Sequence, residues 1–251
     1  MYEHLDWPNF TWDSSSLSSK LAEIRYRQGW LLGRMVSLGF DLQQEASLNI
    51  LTNEIVKSSA IEGAVLNPDV VHSSIAQRLG IGGLMPTSHN VDGIVEMMLD
   101  ATQNYAVPLT AACLFDWHAA LFPTGWSGMH QITGGGWRPE SAGTIQIISG
   151  PISRETVHFE APVAARVESE MTMFLSWFDG KQAINPLLKA CLAHLWFVTI
   201  HAFEDSNGRT VRAIADTALA RADNLEEHFY SMSTQIELKR RNITLGLNNA
   251  A

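Results

Sequence analysis

The sequence holds two cysteines in 251 residues, Cys113 and Cys191. So few, and so far apart, they make neither a disulfide scaffold nor a zinc framework, and a reducing compartment suits them. Basic residues are also scarce: 17 Lys and Arg stand against 26 Asp and Glu, for a formal charge of −9. A phosphate backbone is held largely by Lys and Arg, so this balance argues against duplex binding, and no nucleic-acid partner is expected. Long apolar runs are missing. The greasiest segment, ACLAHLWFVTI from Ala190, is too short and too polar to span a bilayer. The opening MYEHLDWPNF lacks the basic and apolar regions of a secretory signal. Repeats and low-complexity tracts are absent as well. Together these absences lead to the expectation of a cytoplasmic protein with no membrane partner.

What is present is a globular composition, 46% hydrophobic and 17% charged. Leu17, Leu21, Ile24, Leu31, Met35 and Leu38 recur at spacings of three, four and seven, which predicts a helix over 17–38 stopped by Gly39. Leu48, Leu51 and Ile55 form the stripe of a second helix over 42–60. Asn67 and Pro68 read as cap and first helical position of a third, which ends in the glycines between Gly80 and Gly83. Further helices fit 90–105, 109–121, 163–179, 186–200, 207–222 and 231–245. One window departs from this pattern. In residues 134–162, turn formers flank β-prone runs at 144–148 and 157–159, the pattern of a hairpin. A lone hairpin is marginal in water, so it must lean on the helices or take a partner strand. The expected fold class is all-α with a small β-hairpin. Trp30, Trp117, Trp177 and Trp196 fall in helical segments and read as core. His118, His130 and His194 lack metal-ligand spacing and read as packing or surface residues.

The chemistry gathers in HAFEDSNGRTVRAIADTALA, which starts at His201 between two apolar helical runs. Asp205, Ser206, Asn207 and Gly208 are turn and cap residues, so the second helix begins here with backbone N–H groups facing the loop. Those donors and the positive end of the helix form an anion seat. Arg209 and Arg212, at i and i+3, would reinforce it. Asp205 is a hard oxygen ligand beside that seat, suited to Mg²⁺. Histidine has a reference pKa near neutrality, so His201 is of a type that can take a proton from a hydroxyl. Singly, the histidine reads as a helix cap, the aspartate as an N-cap and the arginines as solvated charge. Jointly they are the parts of a phosphoryl-group transferase.

Residues 201–212 resemble the Fic-domain signature H-x-F-x-[DE]-G-N-G-R-x-x-R of the Fic/Doc superfamily. Every specified position matches except Ser206, where the family usually has glycine; Ala202 stands where proline is common. The resemblance implies a Fic-like helical bundle and a protein adenylyltransferase. His201 would be the general base for a target hydroxyl, whose oxygen attacks the α-phosphate of ATP. Asp205 would hold Mg²⁺, and Ser206, Asn207 and Gly208 would lie in the phosphate cradle. Arg209 and Arg212 would steady the β- and γ-phosphates, and Phe203 would be a buried anchor. If Ser206 has negative φ, serine is tolerated; if positive, the loop is strained.

Ser58, Glu62 and Gly63 fit [ST]-x-x-x-E-[GN], which resembles the inhibitory helix of Fic proteins that carry their own repressor. In that family the glutamate engages the second arginine, here Arg212, and displaces the γ-phosphate. The hairpin coincides with the family's flap, at about 140–160, which aligns a target segment as an added strand. Ile145, Ile147 and His158 read equally as docking residues or as inward packing. FYSMSTQI resembles the stretch after the core, which places Tyr230 near the adenine. The expected division is an N-terminal helical region, 1–85, and a catalytic core, 86–251. Expected partners are ATP and a protein bearing a Ser, Thr or Tyr hydroxyl, or the chain itself, with a homodimer as a further expectation. Two other readings stand beside transfer: removal of AMP by a water that Glu62 orients, and a non-catalytic nucleotide-binding module.

Overall fold

The structure, a computed structural model, describes residues 2–81, 89–149, 156–227 and 229–248. In chain order the helices are α1 Ser14–Val36, α2 Phe40–Ile61, α3 Pro68–Arg78, α4 His89–Gln103, α5 Ala111–Leu121, α6 Ala164–Asp179, α7 Pro186–Ile200, α8 Asn207–Asp223 and α9 Met232–Asn248. Two antiparallel strand pairs accompany them: β1 Trp126–Ser127 with β2 His130–Gln131, and β3 Gln146–Ser149 with β4 Thr156–Glu160. The fold is mostly helical, as the periodicities require. Among the described residues no helix is long and apolar enough to cross a membrane.

The chain forms two compact units, one of residues 1–11 and 106–219, the other of residues 12–105 and 220–251. This differs from a division at residue 85. α4 and the C-terminal segment both join the N-terminal helices, because α4 packs on α3 and α9 supplies the surface on which α2 packs. Glu54, 1% exposed, accepts from the Ser231 hydroxyl at 2.6 Å, the Ser233 N–H at 3.0 Å and the Ser233 hydroxyl. A buried carboxylate thus sits at the positive end of α9, where it is stabilised. Ser231 caps the same helix by accepting from Thr234 N–H at 3.0 Å. One turn on, Lys57 pairs with Glu237 at 2.9 Å, and then Arg240 donates to the Ile61 carbonyl. The two helices therefore run parallel, tied at three successive turns.

α1 keeps its cap, Asp13, accepting from Ser15 N–H at 2.9 Å and Ser16 N–H at 3.3 Å. Its apolar periodicity does not sink it into a core. Among the described residues only Gln28 of α1 is buried, and Trp30 is 56% exposed, so Trp30 is not the core residue its helical position led us to expect. In the other unit the N-terminal segment packs on the helices α6 and α7 instead. Trp7 Nε1 donates to the buried Glu170 of α6 at 2.9 Å, and Trp7 and Phe10 pack edge-on against Trp196 of α7.

The hairpin stands where the β-prone runs predicted it, with Gln146 opposite Glu160 and Ile147 opposite Phe159. Residues 150–155, between its strands in sequence, and the glycines Gly82 and Gly83 lie outside the described residues. The smaller β1–β2 pair has no sequence signal, since two residues per strand cannot show an alternation.

Candidate functional site

α7 is apolar nearly all round, with Leu187, Ala193, Trp196, Phe197 and Ile200 buried, so it runs through the interior of its unit. It stops at His201, whose backbone is left-handed at φ 53° and ψ 60° and whose N–H donates to the Phe197 carbonyl at 3.1 Å. A non-glycine residue pays about 1 kcal/mol for that conformation, so the surroundings must hold it. Arg138 does so. Its Nε donates to the His201 carbonyl at 2.7 Å, its backbone N–H donates to the Ala202 carbonyl at 2.9 Å, and its guanidinium also reaches the Pro162 carbonyl. Arg138 is 3% exposed, and burial lowers its pKa from the ordinary arginine value.

Phe203 anchors the loop as expected. It is fully buried and stacks on the His118 ring with centroids 4.3 Å apart at 9°. The Asn207 side chain clamps it from the other side, accepting from Phe203 N–H at 3.0 Å and donating to the Phe203 carbonyl at 2.8 Å. The Asn207 amide is thereby engaged with loop backbone, which leaves its main-chain N–H as what it offers an anion. His118 is a packing residue: Nδ1 accepts from Gly135 N–H at 3.2 Å, and burial pushes the ring down to about 4, so it is neutral near pH 7.

Ser206 has φ 60°, so its backbone takes the conformation for which glycine is the usual residue. Its hydroxyl is buried with no hydrogen-bond partner among the described residues. The first bond of the α8 ladder runs from Thr210 N–H to the Ser206 carbonyl at 2.9 Å. The N–H groups of Asn207, Gly208 and Arg209 precede it, at the positive end of a helix of 17 residues. Asp205 accepts from the Ser206 N–H and from the Ser127 hydroxyl of β1, and lies 3.9 Å from Arg209 Nη2. Arg209 also lies over the Phe122 ring at 5.3 Å. Glu204 accepts from Thr133 N–H at 2.6 Å, so the β1–β2 region holds two consecutive loop carboxylates. Arg212 is 4% exposed. Burial, and then the charge of Arg212, lower the pKa of His194 on α7. One loop and one helix start therefore carry His201, Asp205, Ser206, Asn207, Gly208, Arg209 and Arg212.

A divalent ion suits this donor set in one respect. Among the described residues there is no cluster of three or more metal-ligating side chains. Asp205 offers a single carboxylate with two of about four lone-pair sites engaged. That matches Mg²⁺, which commonly keeps waters and takes one or two carboxylates together with phosphate oxygens.

The other expected residues lie as follows. Ser58 is buried on α2. Glu62 is the C-cap of α2, exposed, one residue past the last helical one. Gly63 follows at φ 84°, donating to the Ala60 carbonyl at 3.0 Å while Ala64 donates to the Ser59 carbonyl at 3.0 Å. That bond pair requires a left-handed residue after the cap, which is why the motif ends in glycine. Tyr230 belongs to the same unit: its hydroxyl donates to Asp223 at 2.6 Å and accepts from Gln28 at 2.9 Å. On the hairpin, the Ile145 carbonyl accepts from Ala161 N–H at 2.9 Å, Ile147 is 60% exposed, and His158 is exposed at the bulge in β4. The exposure of Ile147 and His158 goes against inward packing. Sequence reasoning missed Arg138, Ser127 and Glu54, none of which lies in a motif.

Residues 108–219 match the family model described as Fic/DOC family. This part of the chain is a Fic/DOC domain. Residues 1–81 match a domain of unknown function, DUF4172. A protein adenylyltransferase Fic of Aedes aegypti is 46% identical over 54 residues, 21% of this chain and 11% of that protein. Another, of Nematostella vectensis, is 23% identical over 174 residues, 67% of this chain and 37% of that protein. The chain thus matches well under half the length of these relatives. Among solved structures, a Fic family protein from Desulfovibrio desulfuricans superposes with TM-score 0.57 at 24% identity, over 87% of this chain and 61% of that one. A Fic domain containing signaling protein from Bacteroides thetaiotaomicron gives 0.61 at 16% identity, over 87% and 79%. At these identities the superpositions speak for the Fic fold of the chain, not for its chemistry.

Proposed function

We propose that the chain is a protein adenylyltransferase that moves AMP from ATP to a side-chain hydroxyl of a protein. The observation that carries this reading is the left-handed His201, pinned by Arg138, on the same short loop as the Asp205 carboxylate and the α8 amides. The His201 imidazole accepts the proton of the target hydroxyl. The freed oxygen attacks the α-phosphorus, the bond from that phosphorus to the bridging oxygen breaks, and pyrophosphate leaves with the electron pair. The N–H groups of Asn207, Gly208 and Arg209 and the guanidinium groups of Arg209 and Arg212 hold the phosphates in line. Asp205 would hold Mg²⁺, which when bound neutralises charge on the α- and β-phosphates. The hairpin takes the target backbone as an added strand beside Ile147 and His158, and Tyr230 contacts the adenine.

Glu62 represses the reaction by pairing with Arg212 in place of the γ-phosphate. What supports this is the motif and the build of its end: α9 holds Lys57 and the Ile61 carbonyl, and Gly63 closes the helix just past Glu62. The test is intact-mass and label-transfer analysis with α-labelled ATP and Mg²⁺, on the protein alone and with cell extract. Label is expected with Glu62→Gly, little with the native chain, and none with the Glu62→Gly, His201→Ala double variant. Absence of label with Glu62→Gly in both settings, with no binding of ATP, rejects the transferase reading. Equal label from native protein and Glu62→Gly rejects the repression.

A further inference from the structure

The outward face of α1 is built unlike a solvated helix face. Ala22, Tyr26, Gly29, Trp30, Gly33 and Val36 follow at helical spacings of three and four, all are exposed, and none is charged. Tyr26 is 75% exposed and Trp30 56%. The side away from this face is the one α1 uses within its own unit: Gln28 is buried and donates to Asp223 at 2.7 and 2.8 Å and to Tyr230 at 2.9 Å, while Arg25, at the edge between the two sides, lies 3.4 Å from Asp223. The two glycines lie inside a helix of 23 residues, where glycine is the least favourable residue after proline. Among the described residues nothing calls for them: a Cβ at Gly29 or Gly33 would meet no atom there within 4 Å.

We infer that this face is a homodimer interface, in which α1 packs antiparallel on α1 of a second copy. The face is complementary to itself in one register. Setting Tyr26 against the partner's Gly33 also sets Trp30 against the partner's Gly29, since both pairs are centred on the same point between residues 29 and 30. The two-fold axis repeats both contacts, so each large ring enters a notch left by a missing side chain. A parallel pairing would place ring on ring and glycine opposite glycine, with a gap beside them. Charge agrees with the antiparallel choice. Glu23, Arg27 and Arg34 lie on the same flank of the face, with Glu23 pairing to Arg27 of its own helix at 2.6 Å, and a two-fold antiparallel pair brings like flank to like flank. Glu23 then comes within about 3 Å, along the axis, of the level of the partner's Arg34. Arg34 already lies over Trp30 at 4.8 Å, at the rim of the face.

The area fits a modest dimer. The rings of Tyr26 and Trp30 leave roughly 250 Å² exposed per copy, and the helix that carries them is about 34 Å long. A standard interface takes about 800 Å² per partner. The helix face with its flanks reaches only the small end of that range, so association is expected at about micromolar concentration. This inference does not rest on the proposed activity.

Sedimentation velocity of the full chain from about 1 to about 200 µM tests it. The expected result is a shift from monomer to dimer across that range, with Trp30→Glu monomeric throughout. Folding failure is separated by the Gly29→Ala, Gly33→Ala variant, which should melt at a higher temperature while its dimer dissociates at least about tenfold more readily. Glu23→Arg and Arg34→Glu should each weaken the dimer, and their combination should restore it. A chain that stays monomeric at every concentration overturns the inference, and so does a dimer that the alanine pair leaves unchanged. A monomer that instead sediments with anionic vesicles assigns the face to a membrane and overturns it equally.

Discussion

Arg138 Nε lies 2.7 Å from the carbonyl of His201, and the backbone N–H of the same arginine lies 2.9 Å from the carbonyl of Ala202. The histidine of the signature is thus aimed by a residue 63 positions earlier in the chain, outside the motif.

Replacing Arg138 by methionine should remove the bonds to the His201 and Pro162 carbonyls while keeping much of the stem's packing. Two buried acceptors would be left short, at a cost of about 2–4 kcal/mol. Thermal and urea unfolding should show that loss, and any His201-dependent label transfer should fall further than nucleotide affinity. A variant with native stability would mean that water replaces the guanidinium.

Ser206 combines a positive φ with a buried hydroxyl lacking a partner among the described residues. Ser206→Gly should relieve both and stabilise the protein by about 1–2 kcal/mol, whereas Ser206→Ala should relieve only the second. The expected order of melting temperatures is glycine above alanine above serine. Glycine melting below serine would show that the hydroxyl is bonded.

His118 is held neutral by burial, with its pKa lowered from 6.5 to about 4. Above pH 6.5 neither folded nor unfolded chain binds this proton, and below it the unfolded chain binds first. Stability should therefore fall as pH drops from 6.5 towards 4 and then level off, with His118 supplying up to about 3 kcal/mol of the loss. His118→Gln should flatten that part of the curve measured by urea unfolding against pH. An unchanged slope would point to other groups.

Gly63 carries φ 84° at the end of α2. Gly63→Ala keeps the chain length but strains the closing turn, and should cost about 1 kcal/mol. Hydrogen exchange at the Gly63 and Ala64 amides, which close that turn, should speed up. If Glu62 is the repressor, the same variant should raise label transfer partway towards the Glu62→Gly level.

The helices were legible because an amphipathic helix writes its period into the chain: the predicted 186–200 coincides with α7, and 207–222 falls one residue short of α8. The turn between them was legible for the same local reason, since caps, dipole and i,i+3 spacing are set by neighbours in sequence. Arg138, Ser127 and Glu54 were not legible. Each acts on a partner between 63 and 179 positions away, and only packing decides such pairs. The sign of φ at Ser206 also waited on tertiary context, because the side chain alone permits either.

On its own, the sequence determined the helical class and the place of the signature loop between two helices, both of them consequences of short-range geometry. Tertiary structure alone decided that residues 220–251 return to the N-terminal helices, that a distant arginine pins His201, and that one face of α1 is left outside the core. The physical reason is the same in each case. Burial and hydrogen bonding between remote segments depend on which surfaces meet, and no local period records that.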